Sequence, residues 1–432
     1  MEISLLDPAL DQGHDALHAM FQANAQFAAA SGEEHLRVTA LGAYLVMRLV
    51  ARTLDAATHA DAALELQRLS TARFVDDLPT TVAECAHLRF VLAALPADDV
   101  ELGALRRTLL RYAGWLEREG RLDMALEALR LAARTWAGDI PPRDFTSLAL
   151  DVGRVNRQLA RLHLATDAYH AASESARITG DRLAQFRARL GGISVRRLEG
   201  ATDGLDRELR ALLGECQDDP VLAPLVPLIH ADLGALSSAA GQPDDAIRAM
   251  VQATRATRSV AERLQMLVGL GRILLELGIR DLAALLLEHV AARSPDRLVR
   301  AGAEVELMDI ASREGNRLGF ERIRAGLGRL MWRLPATMRA EFHYRAGLGF
   351  ARFSQRGRAR RSWAVGRTVA IREGLDRWAD IFRQLQDSQR EVAQEMRSEE
   401  ADASIGREML LSDVRGLLRP PARPALPEVE LV

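Results

Sequence analysis

Residues 264–295, LQMLVGLGRILLELGIRDLAALLLEHVAARSP, decide the fold. Leu270 and Leu274 lie one helical turn apart and form one apolar stripe; Ala283, Leu287 and Val290 form a second with the same period. Gly278 separates them and permits the left-handed backbone that ends one helix and reverses the chain. Gly271 and Ala283 are small, so the paired helices can approach closely, and Pro295 follows the second helix. The same sequence of roles returns as Val152, Gly153, Asn156, Ala160, Ala165, Tyr169 and Ala172. It returns again as Leu233, Gly234, Ser237, Gly241, Ala246, Met250 and Ala253. A less regular copy has Leu109, Tyr112, Ala113 and Leu116 before Gly120, then Ala125, Leu129 and Ala132. Turn marks are therefore expected at Gly120, Ala160, Gly200, Gly241, Gly278, Gly315 and Gly357, about 40 residues apart. In the last two copies Phe320 and Ser362 replace the expected alanine. A period of this length predicts a helical solenoid, in which each pair of helices packs on its neighbours.

The pattern resembles the tetratricopeptide repeat, with its small eighth residue, fifteenth glycine, twentieth and twenty-seventh alanines, and proline near position thirty-two. The resemblance covers about residues 100–375. Spacing nearer 40 than 34 makes it similar to the longer repeats of bacterial regulators that sense ligands or peptides. It implies an all-α, right-handed α-solenoid with capping helices. It also implies a concave face lined by the first helix of each unit, at positions two, five, nine, twelve and thirteen. Those positions map to Arg107, Arg118, Arg154, Arg157, Arg189, Arg196, Arg197, Arg272 and Arg313. Guanidinium forks suit carboxylates and phosphates, so the implied partner is an acidic or extended protein or peptide segment. The family's clamp for a C-terminal carboxylate uses lysines and asparagines, and this chain has no lysine.

Residues 1–99 read as an irregular helical N-terminal part, with helices near 14–30, 34–53, 58–74 and 80–94. Residues 376–418 read as C-terminal capping helices. One long amphipathic helix carries Trp378, Ile381, Phe382, Leu385, Val392 and Met396, and a shorter one carries Ile405, Met409, Leu410, Val414 and Leu417. Pro420, Pro421, Pro424 and Pro427 mark 419–432 as a disordered tail.

Composition narrows the function. The chain has 432 residues, 48% hydrophobic and 27% charged, the mixture of a soluble folded protein. No apolar run approaches the length of a membrane span, and residues 1–8 show no secretory signal. Cys85 and Cys216 are isolated, which fits a reducing cytoplasm better than a disulfide framework. All 57 basic side chains are arginine, which excludes a Schiff-base lysine and a P-loop lysine. His14 and His18 share a helical face, but only Asp11 and Asp15 are at hand as further ligands, so no metal is expected. Cys85 and His87, two apart, diverge on a helix and make no catalytic dyad. Gly269-Leu270-Gly271 and Gly347-Leu348-Gly349 lie inside first helices with no preceding strand, so they read as packing glycines. The expectation is a non-enzyme without cofactors.

One stretch is electrostatically unusual. Residues 313–372 hold fifteen arginines against Glu314, Glu321 and Glu341, a net charge of +12 in a chain whose total is −2. Phe320, Trp332, Phe342, Tyr344, Phe350, Phe353 and Trp363 are interleaved with them. Arg352, Arg356, Arg358, Arg360 and Arg361 are the centre of a candidate surface for nucleic acid or an acidic partner. Glu391, Glu395, Glu399, Glu400 and Asp402 are candidates to fold back on it, and the stripe of residues 378–396 is a candidate homodimer contact.

Overall fold

In the computed structural model the described residues are 34–55, 62–95, 102–136, 140–387 and 406–418. His14, His18, the acidic segment 391–402 and the proline-rich tail lie outside them. Among the described residues there are helices and no strand. Three helices come first: α1 (Glu34–Asp55), α2 (Ala62–Asp76) and α3 (Ala83–Ala93). Seven helical pairs follow: α4 (Leu102–Arg118) with α5 (Leu122–Arg134), α6 (Pro142–Gln158) with α7 (Leu162–Thr179), α8 (Arg182–Glu199) with α9 (Leu205–Gln217), α10 (Val226–Ala239) with α11 (Pro243–Ala256), α12 (Val260–Glu276) with α13 (Arg280–Arg293), α14 (Arg297–Arg313) with α15 (Arg317–Gly328), and α16 (Ala336–Arg352) with α17 (Arg356–Arg372). Helices α18 (Asp376–Asp387) and α19 (Gly406–Gly416) complete the chain. Partners within a pair pack along their length except α8 with α9, where α8 packs chiefly on the preceding α7, and successive first helices also touch, most closely α14 with α16.

The turns repeat one device. Gly120, Gly200, Gly241, Gly278 and Gly315 all have positive φ, and so do the non-glycine residues Ala160 and Ser354. The amide one residue after the turn residue donates back to the carbonyl five residues before its own position: Arg121 to Leu116 (2.9 Å), Ile279 to Leu274 (2.9 Å), Gln355 to Phe350 (2.8 Å). This is the Schellman closure, which satisfies helix-end carbonyls. The seventh turn is thus at Ser354, and Gly357 lies within α17. The shift restores the expected alanine, because Ala359 now follows the turn by five residues, as Ala283 follows Gly278.

Each notch has a matching knob. Gly153, Gly234, Gly271 and Gly347 precede their turns by seven residues, and Tyr169, Met250, Leu287 and Trp363 follow them by nine. A Cβ at Gly347 would lie 2.0 Å from Trp363 Nε1, and one at Gly271 would lie 2.9 Å from Leu287. Tyr169 is gripped twice, since a Cβ at Gly191 of the next unit would come within 2.5 Å of its ring. In these units the core is built from large side chains set into glycine notches.

The curve closes on itself. Glu119 meets Arg297 at 3.1 Å. Gly120 abuts the Arg333 carbonyl and the side chains of Leu334 and Pro335, and Ala160 packs on the apolar cluster of the last units. These contacts join the first two pairs to the start of α14 and the segment preceding α16. Helix α18 lays Phe382 into the notch at Gly366 of α17. Within the described part, the stripe proposed as a dimer contact is occupied this way: Ala379, Phe382 and Leu385 are buried. Helix α19 packs against α11, where Asp413 accepts from Arg255 (2.6 Å) and Val414 is fully buried. No helix among the described residues is long and apolar enough to cross a membrane.

Candidate functional site

The first helices α4, α6, α8, α10, α12, α14 and α16 stand side by side, and their mutual face carries a ladder of bonds between units. Arg154 of α6 reaches Glu117 of α4 with both arms of its fork (2.7 and 2.8 Å), and Gln158 adds a third donor (2.8 Å). Asp232 of α10 accepts from Ser194 (2.8 Å) and Arg197 (3.3 Å) of α8. Ser238 of α10 donates to Glu276 of α12 (3.0 Å). Arg272 of α12 bonds to Glu306 of α14 (2.7 Å) and to both oxygens of Glu341 of α16 (2.8 and 2.9 Å).

The ladder is densest between α14 and α16. Asp309 is fully buried and accepts from Arg313 (2.9 Å), Arg345 (3.0 Å) and Arg352 (2.5 Å). Burial alone would raise its pKa, but the surrounding Arg352, Arg345 and Arg313 hold the carboxyl below its ordinary value. Glu306, equally buried, goes the other way: desolvation outweighs Arg345 and Arg272 and pushes its pKa up. Arg345, desolvated yet beside Glu306 and Asp309, is held more firmly protonated than a free arginine.

The sequence-selected arginines therefore divide. Arg154, Arg197, Arg272 and Arg313 sit in the ladder, each with a carboxylate. Arg352 joins them and turns inward, away from the rest of its proposed patch. Arg189 and Arg196 turn towards Glu215 and Glu208 of α9, within their own unit. Arg107, Arg118 and Arg157 have no carboxylate at ion-pair distance among the described residues; the first two are exposed and Arg157 bonds to the Tyr169 side chain. Arg358 bonds to Glu321, while Arg356, Arg360 and Arg361 are exposed on α17.

Glu117, Asp232, Glu306, Asp309 and Arg345 are the residues that reading the sequence for arginines alone passes over. A signal was present. The bridging partners Glu117 and Arg154 are 37 residues apart, Asp309 and Arg345 are 36, and Glu321 and Arg358 are 37, about one repeat each. Opposite charges at the repeat interval mark neighbours in a solenoid.

Four of the interleaved aromatics are core. Phe320, Phe342, Phe350 and Trp363 are buried, and Phe320 meets Phe350 edge-on at 5.3 Å. They offer no stacking platform to a nucleobase. Cys85 is buried beside Thr39, and burial pushes its thiol pKa up. His87 lies against Tyr112 and Trp115. No group of three or more metal-ligating side chains occurs among the described residues.

No protein-family model matches the chain, and no curated protein is similar to it in sequence. Solved structures are similar in shape. A Rap protein complexed with Competence and Sporulation Factor superposes with a TM-score of 0.52, covering 78% of this chain and 98% of that one, at 9% identity. The fold is that of a tetratricopeptide-like solenoid. A second match is the Rap conjugation gene regulator of the plasmid pLS20 in complex with the Phr* peptide, with TM-score 0.51, 13% identity, and 76% and 97% coverage. At such identities the solenoid shares an architecture with these proteins, not a set of site residues.

Proposed function

We propose that this solenoid is a non-catalytic, cytoplasmic regulator that binds an extended protein or peptide segment along its first-helix face. The observation that carries the reading is the row of first helices, along which partly exposed groups of both signs, such as Arg154 with Asp151 and Arg272 with Glu341, stand between neighbouring units. An extended chain needs both along its length, for its own N–H and C=O groups and its termini. The two structural neighbours were determined with Competence and Sporulation Factor and the Phr* peptide, which supports a peptide ligand by analogy of fold. Preference for acidic segments is assigned to the first two pairs, where Arg107, Arg118 and Arg157 keep guanidinium groups uncommitted to any described carboxylate. The closed seam between Glu119 and Arg297 favours a narrow unfolded segment over a folded domain.

The test uses fluorescently labelled extended peptides that vary in acidic content and in a free or amidated C-terminus. Arg118→Glu with Arg157→Glu is expected to weaken acidic peptides by about tenfold or more, the worth of roughly 1.4 kcal/mol. Equal affinity and equal salt sensitivity in wild type and variant would refute the groove as the site. Arg154 and Arg197 are poor probes because their loss also breaks the scaffold.

A further inference from the structure

We propose a second docking surface, on the outer face of α15 and α17, for an acidic amphipathic protein segment. Both are second helices of their units, and register aligns them from their turns at Gly315 and Ser354. Two residues past each turn stand Arg317 and Arg356; seven past stand Arg322 and Arg361. Arg322 and Arg361 occupy equivalent places on the sides of their helices away from the buried stripes, while Arg317 and Arg356, five residues earlier, stand about 140° round at the helix starts. That the helices are neighbours is shown by Arg358 of α17, which donates to Glu321 of α15 while its guanidinium lies 4.1 Å from the centre of the Phe350 ring.

All four arginines are exposed, and none has a bonded partner among the described residues. The carboxylates of this face are already engaged: Glu321 accepts from Arg324 (2.8 Å) as well as from Arg358, and Glu373 accepts from Arg339 (3.1 Å) and Arg372 (2.8 Å). An uncompensated cationic array selects an anionic partner.

Aliphatic side chains among the arginines narrow the class. Leu318, one turn before Arg322, is 85% exposed; Val365, one turn after Arg361, is 48% exposed, and Ile371 is 61% exposed. Exposed aliphatics beside arginines match the make-up of a protein interface, where apolar anchors sit within a charged rim. A nucleic-acid backbone would use the guanidinium groups and leave Leu318 and Val365 idle, and the buried Phe320, Phe350 and Trp363 offer no base-stacking surface. The occupant is therefore a segment with acidic residues outside and an apolar stripe inside.

The experiment uses the full chain and three probes. The first is a labelled 20-residue peptide with leucines at helical spacing and glutamates elsewhere. The second has the same charge with serines replacing the leucines. The third is a duplex DNA of similar length, and anionic lipid vesicles serve beside it. Anisotropy titration is expected to show the leucine peptide binding at least about fivefold more tightly than the serine peptide. R322E with R361E is expected to weaken it by about tenfold or more, and L318S to reduce it measurably. All three positions are on the surface, so a circular-dichroism melt unchanged from wild type confirms that the fold survives. The same titrations on R118E with R157E, which removes the groove's site for acidic segments, are expected to keep the preference for the leucine peptide over the serine peptide, which separates the surface from the groove. The proposal is overturned if R322E with R361E binds the leucine peptide as well as wild type. It is equally overturned if DNA or vesicles bind as tightly as the peptide and lose affinity with the same substitutions.

Discussion

The glycines of the repeat do two jobs, and the sequence told them apart in every quoted copy but the last. Gly278 and Gly315 supply positive φ; Gly271 and Gly347 supply absence of a side chain where Leu287 and Trp363 press in. At the last turn the two jobs were confusable. Gly357 stands near the repeat interval, but Ser354 takes the left-handed backbone, a conformation a short polar residue tolerates when the packing on both sides demands it. The spacing between Gly347 and Trp363, sixteen residues as between Gly271 and Leu287, contained the right register all along. His343 shows what burial adds. Desolvation, with Arg339 nearby, pushes its imidazole down to about 4, against about 6.5 when unfolded. The folded ring therefore stays neutral while the unfolded one takes up a proton, so stability falls as pH drops from about 6.5 towards 4. Urea unfolding at pH 7 and pH 5 is expected to show a drop, of which His343→Phe removes about 2 kcal/mol.

Helices of this solenoid are held to one another by charge as well as by knobs and notches. The amphipathic stripes that predicted helix pairs were legible because burial of one face is a one-dimensional pattern. The ladder was half legible: the arginines were found, and their carboxylate partners on the neighbouring helix were not. Asp309 is the sharpest case, one buried carboxylate serving Arg313 of its own helix and Arg345 and Arg352 of the next. Asp309→Ala would leave three guanidinium groups half-buried without it, and is expected to cost about 3–5 kcal/mol in a denaturation midpoint experiment. The depressed pKa of Asp309 means its contribution is present above the ordinary carboxylate range and lost as pH falls below it. Asp309→Asn is expected to flatten that acid limb.

Across the whole molecule, curvature decides which surfaces exist. Residues some 180 to 215 positions apart meet at the seam: Glu119 with Arg297, and Gly120 with Arg333, Leu334 and Pro335. Arg333, largely desolvated and facing Arg297 and Arg121, has its pKa lowered to about 10, a mark of crowded cations that Glu84 and Glu119 offset. Glu119→Arg adds another cation there and is expected to open the seam, raising the radius of gyration in small-angle scattering. The exchange Glu119→Arg with Arg297→Glu is expected to bring it back. An unchanged radius in the single variant would show that Leu334, Pro335 and Ala160 hold the seam without the ion pair.

By itself the sequence determined that this protein is a stack of paired helices, how many pairs it has, and where nearly every pair turns. Those properties are periodic and local: stripes, notches and helix-ending residues recur at an interval that can be counted. Only the tertiary structure decided which arginines are committed to carboxylates, which stand free on the outer face, and that the stack bends until its first pairs meet its last ones. Those depend on small rotations between units that accumulate along the stack, and on charges a whole repeat apart coming within bonding distance. No local pattern encodes that sum.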